Sequence, residues 1–419
     1  VPRSSVAPAP PDPVPGPDTP PTALAPDRPD PGPGGSGPSR TDGPDNTGNP
    51  GGPCTDTPGT DAPGTDALTV LARRYALGEP LSCERVTHGL LNRGYALTTT
   101  RGRFFLKHHL DGDSPAIARQ HRATARLAAL GLPVVPPLAD TAGSTVAVTG
   151  GRCFALHPWI DGRHRYGSQL TRAECGRLGE LLGRVHTALE RIMPPAPASA
   201  PGPGGTGPGD RLRLPGPRRP ASPTSPPALA SAEPADTYAL IDELLARARR
   251  RPQRDAFDEL AEHRLTERRA LLRRHAHRRP RPGAEPAAGW VHGDFHPLNL
   301  LYRGTEPAAI VDWDRLSVQP RAEEAVRAAA IFFVRPRGPL ALPGVRSYAR
   351  GYRRASGADP AELAAAVHRV WWERLNDFWM LRWRYELRDP RADAQFPAAA
   401  ALAVWWTEHY DAVRDAFTA

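Results

Sequence analysis

Hydrophobic and polar positions alternate along the chain in two distinct regimes, preceded by a stretch with neither. From Asp66 onward, "DALTVLARRYAL" places apolar residues at helical spacing behind an aspartate expected to cap it. Three strand-like runs follow. "LSCERVTH" leads into "GLLNRGYALTTT", and "GRFFLKHH" returns across the Arg101-Gly102 turn as a hairpin partner. "SPAIARQHRATARLAALG" reads as a helix with a Ser-Pro start and a stop at Gly131. "STVAVTGGRCFALHPWI" then gives two further strands about Gly150-Gly151. Five strands and one helix in so short a span predict a small antiparallel-sheet lobe.

After Asp161-Gly162 the period changes to that of helices. "TRAECGRLGELLGRVHTALE" opens on a capping box, Thr171 with Glu174 three residues on, and its apolar face is Leu178, Leu181, Leu182, Val185 and Leu189. "ADTYALIDELLARARRR" and "RDAFDELAEHRLTERRALLRRHA" continue the helical pattern. A loop and two short strands precede a helical, tryptophan-rich C-terminus. In "VHRVWWERLNDFWMLRWRYEL", Trp372, Leu375, Trp379 and Trp383 share one face of a single expected helix. That stripe reads as a core face; the competing reading is an aromatic and acidic wall, with Glu373 and Asp377, for a cationic amine.

Composition changes this picture in two places. The 51 prolines and 39 glycines cluster in residues 1–66 and in an insert at about 193–235, where periodicity is absent and too little apolar surface is available to fold. Both are expected to be disordered. This divides the chain into a Pro/Gly-rich tail (1–66), an N-terminal antiparallel-sheet lobe (67–158) and a helical C-terminal lobe (159–419). The fold class expected is α+β and bilobal.

Net charge is +9, but no stretch interleaves aromatics with basics as a base-stacking platform would, which argues against nucleic acid. Binding through "RARRRPQR" and "RRHAHRRPRP" would show as steep salt dependence. No window is long and apolar enough to span a membrane, and the start lacks the apolar core of a secretory signal. Cys54, Cys83, Cys153 and Cys175 form no CxxC pair, so neither a zinc site nor a disulfide framework is expected. A cytoplasmic setting fits.

The chemistry concentrates in "WVHGDFHPLNLLYRGTEPAAIVDWD", Trp290 to Asp314. Asp294 precedes Asn299 by five positions within a loop, and Asp312 follows at the end of the next apolar strand. A carboxylate, an amide oxygen and a second carboxylate so placed match what phosphoryl transfer requires: a group on the attacking hydroxyl and hard oxygen ligands for Mg²⁺. The loop matches the kinase H-R-D-x-x-x-x-N spacing with Gly293 in place of arginine.

The segment resembles the "HGDxHxxNxL…IDWD" signature of the aminoglycoside phosphotransferase and choline kinase-like superfamily, whose fold is protein-kinase-like. The resemblance covers roughly residues 67 to 415, omitting the Pro/Gly-rich tracts. It implies Asp294 as catalytic base, Asn299 and Asp312 as Mg²⁺ ligands, and ATP between the lobes. It implies nucleotide contacts from Lys107, Asn92, Gln120 and His157, the last at the hinge between lobes. His292 resembles the loop histidine supporting the backbone around the base, while His296 and Asp314 are open between structural and direct roles.

Lys107 is the one lysine among 54 basic residues, at the end of the strand where kinases place a phosphate-binding lysine. Kinases pair that lysine with a helix glutamate, but "ARQHRATARL" has Gln120 at the corresponding place. Two routes stay open: Gln120 hydrogen-bonds the ammonium, or an acid from elsewhere substitutes. The leading expectation is an ATP-dependent phosphotransferase acting on a small-molecule hydroxyl; the alternative is a non-catalytic, kinase-like nucleotide-binding or scaffolding protein.

Overall fold

The computed structural model describes residues 62–86, 92–110, 112–195, 230–281 and 287–419. The segments expected to be disordered lie for the most part outside the described residues.

Helix α1 (Thr65–Arg74) opens the described chain; its N-cap is Gly64, and Asp66 lies inside the first turn rather than capping it. Strands β1 (Pro80–Val86), β2 (Arg93–Thr99), β3 (Gly102–His109), β4 (Ala147–Thr149) and β5 (Arg152–Pro158) form an antiparallel sheet in the order β1-β2-β3-β5-β4. One face buries Tyr95, Leu97, Leu106, Phe154 and Leu156 against Leu71 of α1 and Tyr75 at its C-cap. Strand alternation sends Phe105, Lys107 and His109 to the opposite face. Helix α2 (Ser114–Ala129) is capped by Asp113, which accepts from Ala116 N–H. Its Ala123 and Leu127 belong to the core of the helical lobe, so α2 ties the sheet to that lobe.

The helical lobe begins with α3 (Arg172–Ile192), whose Thr171–Glu174 capping box forms as expected. It continues through α4 (Pro234–Arg249), α5 (Ala256–His275), α6 (Arg321–Phe333), α7 (Leu342–Ser356) and α8 (Pro360–Asn376). Helices α3 and α7 cross at near backbone contact. A Cβ on Gly179 would stand 2.0 Å from the Tyr348 carbonyl oxygen, and one on Gly351 would stand 2.0 Å from that of Gly176. Glycine weakens a helix interior by about 1 kcal/mol relative to alanine. Here it permits a crossing that no side chain would allow.

The tryptophan-rich stretch is not one helix. α8 ends at Asn376, and α9 (Trp379–Arg382) runs on into a π turn, Trp383–Leu387. The break is held by polar side chains: Asn376 donates to Trp372 O and accepts from the Thr237 hydroxyl, while Asp377 accepts from Trp379 N–H. Trp372, Leu375 and Trp383 are buried, as a core stripe requires. Helices α10 (Phe396–Glu408) and α11 (Tyr410–Thr418) close the lobe.

Two small antiparallel ribbons position the site. β6 (Ala288–Val291) pairs with β9 (Ser317–Pro320), and β7 (Leu300–Arg303) pairs with β8 (Glu306–Ile310). Val291 sits opposite Ser317 and Leu300 opposite Ile310, so the loops 292–299 and 311–316 leave the ribbons side by side.

Candidate active site

His292 joins the two loops. Its Nε2–H donates to Val311 O at 3.0 Å and its Nδ1 accepts from Asp294 N–H at 3.2 Å. Both bonds require the neutral ring with the proton on Nε2, and burial pushes the imidazole below its usual range, consistent with that form. Trp313 lies against the ring at 4.5 Å. A second bond, Val311 N–H to Asn299 O at 3.0 Å, fixes the start of the loop after β8 to the end of the first loop.

Beneath the loop, Glu324 of α6 accepts from His292 N–H and Gly293 N–H. The same carboxylate lies 2.6 Å from His186 Nε2, and His186 Nδ1 lies 3.0 Å from the Tyr352 hydroxyl. Neither Glu324 nor His186 stood out in the sequence. A buried acid followed by a histidine far upstream leaves no local spacing to read.

Gly293 has φ +85°, and a Cβ there would meet Arg315 O at 2.2 Å. That close approach explains glycine where protein kinases have arginine. It also brings Arg315 Nε to 3.7 Å from Asp294 Oδ2, while His296 Nε2 stands 3.6 Å from Asp294 Oδ1. Burial would raise the Asp294 carboxyl; the His296 ring and Arg315 outweigh it and hold it below the usual range. Asp294 is therefore anionic at neutral pH and able to accept a hydroxyl proton. Asn299 Nδ2 donates to Asp294 O at 2.9 Å, leaving the amide oxygen as the end suited to a metal.

Lys107 crosses from the sheet to meet the second loop. Its Nζ lies 2.7 Å from Asp312 Oδ1 and 2.7 Å from Asp314 Oδ2. Burial alone would depress the ammonium, but the two carboxylates override it and raise it. Desolvation likewise works against the charged Asp312, yet Lys107 holds that carboxyl well below the usual range. Asp314 moves the other way: burial and its neighbour Asp312 raise it in spite of Lys107. Asp312 has φ +62°, a left-handed conformation that aspartate adopts more readily than most residues.

Gln120 does not hydrogen-bond the ammonium; its Nε2 donates to Asp314 O at 3.0 Å. Asn92 donates to the Asp314 carboxylate and accepts from Leu110 N–H. His157 sits within β5 opposite Phe105, with Nδ1 at 3.4 Å from Val135 O. Burial, then Lys107 and His121, push its ring down to about 3, so its side chain is neutral. His109 and His121 are also depressed, to about 3 and about 4, with burial the largest cause and Lys107 next. These uncharged rings pack beneath the sheet, with His121 at 6.2 Å from His109 and 6.1 Å from His157. Thus Lys107, Asn92, Gln120, Asp312 and Asp314 form one connected group, with Asp294 and Asn299 on the adjoining loop.

No cluster of three or more His, Cys, Asp or Glu suited to a metal occurs among the described residues. The donor chemistry nonetheless fits Mg²⁺, which is commonly held by one or two carboxylates together with phosphate oxygens. Asp312 has 43% of its side chain exposed, and the Asn299 amide is a second hard oxygen that could ligate such an ion.

The chain matches several curated homoserine kinases over part of its length. It is 30% identical to that of Afipia carboxidovorans over 118 residues, 27% of this chain and 35% of the relative. It is 31% identical to that of Bartonella tribocorum over 127 residues, 29% of this chain and 38% of the relative. The chain thus spans little more than a third of the curated relatives it matches. Among solved structures, an amicoumacin kinase in complex with AMP-PNP, Ca²⁺ and amicoumacin superposes with TM-score 0.52 at 17% identity, covering 83% of this chain and 92% of that one. A spectinomycin phosphotransferase with ADP and spectinomycin gives 0.53 at 14% identity, covering 85% and 98%. A microcompartment-associated aminopropanol kinase gives 0.52 at 18% identity, also covering 85% and 98%. At these identities the likeness shows the fold alone: bilobal and kinase-like, with a small antiparallel sheet and a larger helical lobe. Residues 82–365, well over half of the chain, match the sequence model of one family, and the protein belongs to it: the phosphotransferase enzyme family, APH.

Proposed function

We propose that the protein is an ATP-dependent small-molecule kinase that moves the γ-phosphoryl group of Mg·ATP to a hydroxyl of a small acceptor. The observation that carries this reading is the ion pair between Lys107 and Asp312, 2.7 Å across the cleft and beside the loop of Asp294 and Asn299. In this reading residues 67–158 are the nucleotide-binding lobe and 159–419 the catalytic and acceptor lobe, working in the cytoplasm.

Asp294 orients the acceptor hydroxyl and takes its proton as the oxygen attacks in line. Its low-lying carboxyl is ready in the anionic form. Lys107 contacts the α- and β-phosphates through a compact ammonium. Asn299 and Asp312 would hold Mg²⁺, which when bound would neutralise phosphate charge. His292, Glu324 and His186 keep the loop rigid, so most of the acceleration comes from positioning. Intact Asp294, Asn299 and Asp312 weigh against a purely scaffolding role.

The acceptor class we favour is an amino alcohol or hydroxy amino acid. The relatives and neighbours named for homoserine, aminopropanol and spectinomycin support it. The test is acceptor-stimulated ADP release with Mg·ATP, using homoserine, aminopropanol and aminocyclitol antibiotics, with Asp294→Asn alongside. Release stimulated by an acceptor and lost in the variant supports the proposal. Tight ATP binding with no release for any acceptor returns weight to the non-catalytic reading.

A further inference from the structure

Gln120 stands where a kinase helix would offer an acid to the phosphate-binding lysine, and an amide cannot balance an ammonium. Lys107 is nevertheless only 9% exposed, and a buried ammonium requires anionic partners. Among the described residues it has two, Asp312 and Asp314, each at 2.7 Å. If Asp312 serves Mg²⁺, only one of them remains with the lysine.

Asp314 is built to remain. Its side chain is 19% exposed against 43% for Asp312. Asn92 donates to its carboxylate and Gln120 donates to its backbone carbonyl. Gln120 is thus a bracket for the acid. The ammonium has three N–H donors, so one held by Asp314 leaves two for phosphate oxygens once Asp312 turns to the metal.

We propose that Asp314 is the positioning acid of Lys107, supplying from the loop after β8 the carboxylate that kinases ordinarily supply from a helix, with Gln120 and Asn92 holding it in place. The inference rests on Lys107 being the phosphate-binding residue of the proposed kinase.

The chain holds a single lysine, so amine acylation followed by peptide mass spectrometry reads Lys107 separately from the N-terminus. The proteins compared are wild type, Asp314→Asn, and Asp314→Asn with Gln120→Glu, all free of metal and nucleotide. Asp314→Asn should acylate at Lys107 about tenfold faster than wild type, and the added Gln120→Glu should bring the rate back to within about threefold, because a helix acid then takes over the pairing. Acylation of Asp314→Asn at the wild-type rate overturns the proposal, as does an increase that Gln120→Glu leaves unchanged. The readout needs neither acceptor nor turnover. Silence in the ADP-release assay therefore tells against the kinase reading alone, while ADP release with unaltered acylation in Asp314→Asn tells against the pairing alone.

Discussion

Glu324 and His186 meet at 2.6 Å beneath the loop that carries Asp294, although they stand on different helices and 138 positions apart. Their contact links the close crossing of α3 and α7 to the loop at the site. Tyr352 anchors His186 from α7, and Glu324 spends its oxygens on the His292 and Gly293 amides. Glu324→Gln replaces one acceptor with an NH₂ group facing buried donors. It should cost about 2 kcal/mol of stability, the scale of an unsatisfied buried polar group, and lower kcat as the loop loosens. Denaturant unfolding beside steady-state kinetics checks both parts.

Lys107→Arg keeps the charge and changes its shape. A guanidinium fork is wider than the ammonium that fits between Asp312 and Asp314. Turnover should fall about 100-fold, a loss typical of removing one well-placed charge-stabilising donor. Calorimetric titration with a non-hydrolysable ATP analogue would show whether binding and turnover fall together. Wild-type turnover in this variant would contradict the phosphate-binding role.

Gly293→Ala tests the close approach to Arg315. The added Cβ faces backbone, and φ +85° is strained for any residue with a side chain. The variant should lose about 1–3 kcal/mol and most of its activity, since the loop must shift to relieve the contact. Thermal unfolding and kcat measured together would reveal it.

Stability should also decline on the acid side. Hydrogen bonds from Arg165 and from Thr171 N–H hold the Glu174 carboxyl at about 2 instead of its ordinary 4.5. A carboxylate depressed by folding stabilises fully above its unfolded value and loses that contribution as pH falls towards the folded one. The Glu174 share should therefore be present above about pH 4.5 and fade on the way to about pH 2. Acid unfolding of Glu174→Gln, compared with wild type, should show the stability difference shrinking through that window.

Much of the site was legible because its parts are encoded locally. Asp294, Asn299 and Asp312 lie on one strand–loop–hairpin unit, whose spacing is set by ribbon geometry. The Thr171 capping box and the Gly150-Gly151 turn were legible for the same reason. The break after Asn376 was not. The α8–α9 stretch keeps helical periodicity through it, and the bonds of Asn376 and Asp377 that hold the turn include one from the distant Thr237 hydroxyl, which linear spacing does not record.

The sequence by itself determined the two-lobed architecture, the loop that carries Asp294 and Asn299 and the place of Lys107 at the end of its strand, since each rests on residue type and short-range spacing. Tertiary structure decided which groups answer one another. It placed Asp312 beside Lys107 across 205 positions, turned Gln120 towards Asp314 O, and set Glu324 under the loop. A buried charge or amide is satisfied by whatever folding brings within about 3 Å, and linear spacing carries no record of that neighbour.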